Sequence, residues 1–286
     1  MKKTFLLLSV LLGITFALGA QNRIQTEEVS SSLLGHSVKV NVCLPRNFES
    51  SDRHYPVLYL LHGLYGVHTD WENRGGLRAV LDELNGTGEA AEMIVIMPCA
   101  GDPDVQHVQN GYFNMPGCPY EDFFFEELIP AMEQKYRCGG AKQLRAVAGL
   151  SMGGGGSVVY AQRHPDMFSS CYGMSAWLDN QMNQVRQPEN QDNKLYITAM
   201  SVREHSALDF IDNADEKTVQ ALRGVKWFLD CGDDDGLLQL TTDLFLKMKR
   251  RGIPCELRVR NGAHTWEYWH TALRLSLPFA SRNFTF

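Results

Sequence analysis

Basic charge is scarce in this chain: 27 Lys and Arg stand against 33 Asp and Glu, a net charge of −6. A chain with that balance does not track a phosphate backbone, which argues against a nucleic-acid partner. Internal repeats, low-complexity tracts and Pro/Ser-rich linkers are missing, so most of the 286 residues read as one large domain. Seven cysteines are present, yet no C-x-x-C pair or zinc spacing occurs. The alternating D-x-D-x-D-G spacing of a calcium loop is missing too, so the residues nominate no metal. The apolar run at 5–18 is short for crossing a bilayer.

That run has another reading. Lys2-Lys3 precede it, and small Gly19-Ala20 and polar Gln21-Asn22-Arg23 follow it. This is the pattern of a secretory signal cleaved near Ala20. Residues 1–20 are therefore expected to be a signal peptide, and 21–286 an exported, periplasmic or secreted domain with no membrane attachment. No cysteine follows the small residues, so there is no lipoprotein signal. Cys43, Cys171 and Cys231 lie in apolar runs and read as small buried fillers. Cys118 and Cys138 lie in less regular stretches, and their pairing in an oxidising compartment is left open.

Strand and helix patterns alternate along the chain. Strands are predicted at 37–44, 55–61, 93–97, 144–148, 168–174, 226–230 and 255–260. Helices are predicted at 76–84, closed by Asn85-Gly86, and at 122–136, capped by Asp122 and kinked at Pro130. Others are predicted at 157–163, 237–251 and 265–277. Residues 100–120 read as a long functional loop. Residues 178–222 read as an excursion over the sheet with short helical patches, such as 217–222, and a possible share in a lid. Alternation of this kind implies an α/β fold, with a mostly parallel central sheet carrying helices on both faces. Reactive groups belong at the carboxyl ends of such strands.

Three candidates fall there. Gly149-x-Ser151-x-Gly153 lies between a strand and a helix, the context of a nucleophile elbow. A sharp turn would raise the Ser151 hydroxyl, and the glycines would let strand and helix cross. The helix starting there would aim its N–H groups at developing negative charge. A serine hydroxyl holds its proton tightly, so a neutral imidazole must accept it. His264, after the last strand, is the candidate, whereas His270 lies within the following helix. The acid that orients His264 could be Asp230, Asp233, Asp234 or Asp235 on the residues alone. Ser, then acid, then His is the chain order of an α/β-hydrolase triad. In that fold the oxyanion donors come from the loop after an early strand and from the residue after the nucleophile. This nominates the backbone N–H groups of Leu64 and Met152, with His62 read as a structural histidine bonding its own loop. Trp71, Tyr112, Trp177, Trp266 and Trp269 are near these loops, and the first four are expected to form an aromatic substrate wall.

With these residues in place, the chain resembles the esterase D-like α/β hydrolases, including carbohydrate esterase family 1. That group covers feruloyl and acetyl-xylan esterases, S-formylglutathione hydrolases and mycobacterial mycolyltransferases. The resemblance runs over about residues 37–280. It rests on Leu61-His62-Gly63 with Asp70-Trp71, and on Tyr120-Glu121-Asp122-Phe123 with Glu127-Leu128-Ile129-Pro130. It continues in Gly149 to Gly154, His164-Pro165-Asp166-Met167-Phe168, Cys231-Gly232-x-x-Asp235 and Gly262-x-His264-x-Trp266. It implies that Asp235 is the triad acid, that no metal or cofactor is needed, and that the substrate is an esterified carbohydrate or a small ester. The 178–222 excursion carries no motif of that group, and an export signal disfavours the S-formylglutathione role. The expectation is an exported serine esterase removing feruloyl or acetyl groups from plant cell-wall polysaccharide. Its rivals are an acyltransferase, an S-formylglutathione hydrolase-like thioesterase, and a catalytically dead carbohydrate-binding or adhesion domain.

Overall fold

A computed structural model describes residues 21–100, 110–180 and 194–286. The expected signal segment 1–20 lies outside the described residues, as do 101–109 of the long loop and 181–193 of the excursion. The strands are β1 (Arg23–Ser30), β2 (Ser37–Leu44), β3 (Val57–Leu61), β4 (Ile94–Pro98), β5 (Asn114–Met115), β6 (Cys118–Pro119), β7 (Arg145–Leu150), β8 (Ser170–Met174), β9 (Lys226–Gly232) and β10 (Cys255–Arg260). The helices are α1 (Asp70–Asn73), α2 (Leu77–Thr87), α3 (Tyr120–Asp122), α4 (Ile129–Tyr136), α5 (Ser151–Arg163), α6 (Lys194–Glu204), α7 (Ala207–Asn213), α8 (Glu216–Leu222), α9 (Leu238–Arg250) and α10 (Trp266–Arg282).

The main sheet runs β1-β2-β4-β3-β7-β8-β9-β10. From β4 to β10 every pairing is parallel, while β1–β2 and β2–β4 are antiparallel. This is the mostly parallel α/β architecture that the alternating pattern implied, in the α/β-hydrolase form that the resemblance implied. Both sheet faces are covered. Val57, Tyr59, Leu61, Ile94 and Ile96 point to one core with Tyr160 and Met132. Leu58, Leu60, Val95 and Met97 point to the other with Leu81 and Leu273. Strands buried on both sides read as continuous apolar runs, which is why these were legible. The parallel register brings the carboxyl ends of β3, β7, β8, β9 and β10 to one edge, with Leu61 opposite Gly149 and Met174 opposite Asp230.

Four local expectations are corrected. β1 was not foreseen: of its residues only Val29 is buried, so an edge strand of polar residues carries no hydrophobic alternation. α2 runs through Asn85-Gly86 and stops at Gly88, whose φ of +77° gives the left-handed cap. The helix expected from Asp122 starts at Tyr120, and residues Phe123–Leu128 widen into a π-type turn before α4. Pro130 donates no N–H and its ring crowds the carbonyl four residues back, so the widening sits where the regular ladder would fail. α10 continues past residue 277, through Pro278, to Arg282. The Cys118–Cys138 pairing is not made, because Cys138 is a buried free thiol. Among the described residues no helix is long and apolar enough to cross a membrane.

α5 begins at Ser151, so the glycines 153–156 are helical although glycine is a poor helix former. Close approach explains them. A Cβ on Gly153 would lie 2.4 Å from the His62 carbonyl oxygen, and one on Gly155 would lie 2.1 Å from that of Trp177. The bare helix lets the loops after β3 and β8 close onto its first turns.

Candidate active site

Ser151 follows β7 directly and opens α5. Its φ is +53°, the left-handed region that a side chain adopts only under constraint. The constraint is packing: a Cβ on Gly149 would meet the Gly153 carbonyl oxygen at 2.4 Å, so nothing larger fits where strand crosses helix. The Ser151 carbonyl also accepts the Trp177 N–H at 2.9 Å.

His264 lies in the turn between β10 and α10. Asp233 Oδ1 accepts the Gly262 N–H at 2.9 Å, and the Asp234 N–H donates to the Gly262 carbonyl at 2.9 Å. These bonds tie the loop after β9 to the loop after β10. His264 Nε2 lies 2.9 Å from Ser151 Oγ, and its Nδ1 lies 2.9 Å from Asp235 Oδ2. The carboxylate assigns the imidazole proton to Nδ1, which leaves the Nε2 lone pair facing the serine hydroxyl.

Burial separates the four aspartates that the residues alone could not. Asp233 and Asp234 are exposed and serve the loop contacts just described. Asp230 is fully buried but engaged, accepting from the hydroxyls of Tyr172 at 2.8 Å and Tyr268 at 2.5 Å and pairing with Arg260 Nη2 at 2.8 Å. Asp235 is buried and faces His264. Burial pushes its carboxyl up, but hydrogen bonds from His264, the Leu237 N–H and the Ser175 hydroxyl outweigh this and hold it below its usual range.

Sequence reasoning did not single out Ser175 and placed Trp269 only among the aromatics near the active-side loops. Ser175 directly follows β8 with φ +44°, is fully buried, and its hydroxyl reaches Asp235. Trp269 Nε1 donates to Ser175 Oγ at 3.1 Å, and its ring meets the His264 ring edge-on at 4.8 Å. The one available signal for Ser175 was its place at the carboxyl end of a buried strand.

A cavity of 560 Å³ opens beside Ser151, lined by Gly63, Leu64, Asp70, Arg74, His264 and Trp266 among others. Leu64 sits in the turn after β3, and Met152 supplies a first-turn N–H of α5, which has no acceptor within the helix. Trp266 lines the cavity, with the Arg74 guanidinium 4.9 Å above its ring. Trp71 and Tyr112 do not. Trp71 is fully buried and donates to the Leu61 carbonyl at 3.2 Å. Tyr112 is fully buried and donates to the His62 carbonyl at 2.9 Å, so both brace the loop from behind. Trp177 is half-buried and lies outside the cavity lining. The described part of 178–222 contributes no lining residue; α6, α7 and α8 instead border a separate 710 Å³ groove with α5. Among the described residues no group of His, Cys, Asp and Glu side chains is arranged to hold a metal ion.

His62 serves its own loop, as expected. It is 1% exposed, its Nδ1 bonds the Gly63 carbonyl at 2.8 Å, and its Nε2 accepts the Ala100 N–H at 2.9 Å. Burial lowers its pKa from 6.5 to about 4. The unfolded chain takes a proton here as pH falls through the ordinary value, and the folded chain refuses it until about pH 4. The stability this group contributes is thus complete above pH 6.5 and is lost between there and about 4. The loss amounts to about 3 kcal/mol. Urea unfolding at stepped pH should show that decline, and a flatter one in His62→Gln. His270 is packed, with Nδ1 2.7 Å from the Gly75 carbonyl.

Comparison with known proteins gives a consistent picture. A model of the Esterase family matches residues 30–280. A solved structure of a ferulic acid esterase is 45% identical, superposes with a TM-score of 0.85, and covers 92% of this chain and 99% of its own. The endo-1,4-beta-xylanase/feruloyl esterase of Xylanibacter ruminicola is 32% identical over 142 residues, 48% of this chain. An acetyl esterase of Caldicellulosiruptor saccharolyticus is 25% identical over 239 residues, 79% of this chain and 83% of that protein. The match spans only 19% of the xylanase/feruloyl esterase, and 29% of two Mycobacterium tuberculosis esterases that are 33% identical over 146 residues.

Proposed function

We propose, for a chain that belongs to the Esterase family and is a carboxylic ester hydrolase, an exported serine esterase that removes feruloyl or acetyl groups from plant cell-wall polysaccharide. One observation carries the mechanism: the unbroken chain of hydrogen-bond distances from Ser151 Oγ through His264 to Asp235, 2.9 and 2.9 Å. Ser151 Oγ attacks the ester carbonyl while His264 Nε2 takes its proton, and Asp235 stabilises the imidazolium. The N–H groups of Leu64 and Met152 hold the oxyanion. The tetrahedral adduct collapses to acyl-Ser151, and His264 returns the proton to the departing sugar hydroxyl. Water then attacks the acyl-enzyme by the same route and frees the acid.

The substrate class is supported by the high identity to a protein named ferulic acid esterase, and by a feruloyl esterase and an acetyl esterase among the relatives. Export rests on the sequence pattern at 1–20, with 21–286 as one catalytic domain. A panel of methyl ferulate, acetylated xylan and short p-nitrophenyl esters tests the reading. Turnover of methyl ferulate or release of acetate from xylan is expected. Activity confined to S-acyl glutathione thioesters, or acyl transfer to an added alcohol with no free acid, would replace it.

A further inference from the structure

Residues 63–66 form a turn in which the Gly66 N–H donates to the Gly63 carbonyl at 3.0 Å. Its third residue, Tyr65, has φ +60°. Glycine and asparagine are the usual occupants of that region, because a larger side chain crowds the following carbonyl. Four other non-glycine residues among those described share a positive φ, and each has something to offset it. Ser151 and Ser175 stand in the hydrogen-bonded chain at the site. Tyr112 is buried and bonded, and Arg137 lies over Phe48 at 4.9 Å and bonds its carbonyl. Tyr65 is different. It is 60% exposed, and among the described residues its hydroxyl has no hydrogen-bond partner. Burial and internal bonding therefore leave its strain unexplained, and strain held without a structural return is characteristic of binding sites.

Its place supplies the return. Leu64 and Gly66, its two neighbours, line the Ser151 cavity, while the ring itself stands outside the lining. A cavity of 560 Å³ has room for an acyl group, so a side chain beside its opening would meet what the acyl group is attached to. We infer that Tyr65 is a substrate-binding residue that seats a sugar ring of the leaving group against its exposed face at the cavity mouth. A sugar ring has an apolar C–H face that stacks on an aromatic ring, and hydroxyls that the phenol can bond. The inference rests on the carbohydrate-ester reading above.

The test uses two esters of one acid, methyl ferulate and a feruloylated arabinoxylo-oligosaccharide, with wild type, Tyr65→Gly and Tyr65→Phe. The ratio of kcat/KM, oligosaccharide over methyl ester, should fall about tenfold in Tyr65→Gly, chiefly through KM, and stay within about twofold in Tyr65→Phe. The thermal midpoint of Tyr65→Gly should hold or rise, because glycine relieves the strain. An unchanged ratio, with both esters equally impaired or equally unaffected, would overturn the inference. So would a clear fall in the midpoint, which would mean the ring holds the turn. If wild type cleaves neither ester, the feruloyl arm of the proposed function fails by itself. Calorimetric binding of the unesterified oligosaccharide to wild type and Tyr65→Gly then decides about Tyr65, equal affinity overturning its role.

Discussion

Ser151→Ala is expected to lower kcat by about 10⁴- to 10⁶-fold on any ester the wild type cleaves. The variant leaves His264 with no hydroxyl proton to accept, so no acyl-enzyme forms. Residual turnover would come from water, helped by the oxyanion N–H groups alone. The fold should survive. Alanine bears the same Cβ strain at φ +53° as serine does, and the glycines at 149 and 153 that permit the crossing are untouched. Steady-state kinetics with a thermal midpoint for each protein separates lost chemistry from lost folding. Loss of less than about tenfold would mean that the serine at the elbow is not the nucleophile.

The second large effect concerns the acid. Asp235→Asn should cost about 10⁴-fold in kcat with little change in stability. An asparagine at 235 can present its amide N–H₂ to the imidazole, which favours the tautomer with its proton on Nε2 and removes the acceptor that Ser151 needs. Asp233→Asn and Asp234→Asn, on exposed side chains, should stay within a few-fold. Asp230→Asn makes the contrast sharpest. Its carboxylate is buried against Arg260 and two tyrosine hydroxyls, so the expected loss is about 3–5 kcal/mol of stability rather than a specific loss of kcat. Measuring kcat and unfolding together in the four variants assigns one carboxylate to chemistry and another to the fold.

Much of this was legible in the residues because parallel strands buried on both faces spell themselves as apolar runs. β3, β4, β7, β8 and β9 were visible on that ground, whereas β10 is a half-exposed edge strand of alternating residues. The carboxyl ends of β7, β9 and β10 pointed to Ser151, the 230–235 stretch and His264. β1 was not, since an edge strand with one buried valine has no pattern to read. The choice among Asp230, Asp233, Asp234 and Asp235 needed a family resemblance, because four carboxyls within six residues differ only in burial and partners. Three of the four residues expected in the aromatic wall, Trp71, Tyr112 and Trp177, lie outside it for a related reason. Trp71 and Tyr112 lie in the right loops, but side-chain direction decides whether an indole faces substrate or the backbone behind it, and sequence position does not carry direction. Ser175 lay below detection altogether: a single hydroxyl at a strand end makes no motif until Asp235 and Trp269 are brought to it.

The central claim is covalent. Brief treatment with a fluorophosphonate, followed by digestion and peptide mass mapping, reads it directly. One adduct is expected, on the peptide carrying Ser151, formed in step with the loss of esterase activity and absent from Ser151→Ala. Adduct on a different serine accompanying that loss, or full inactivation with Ser151 unmodified, would contradict it.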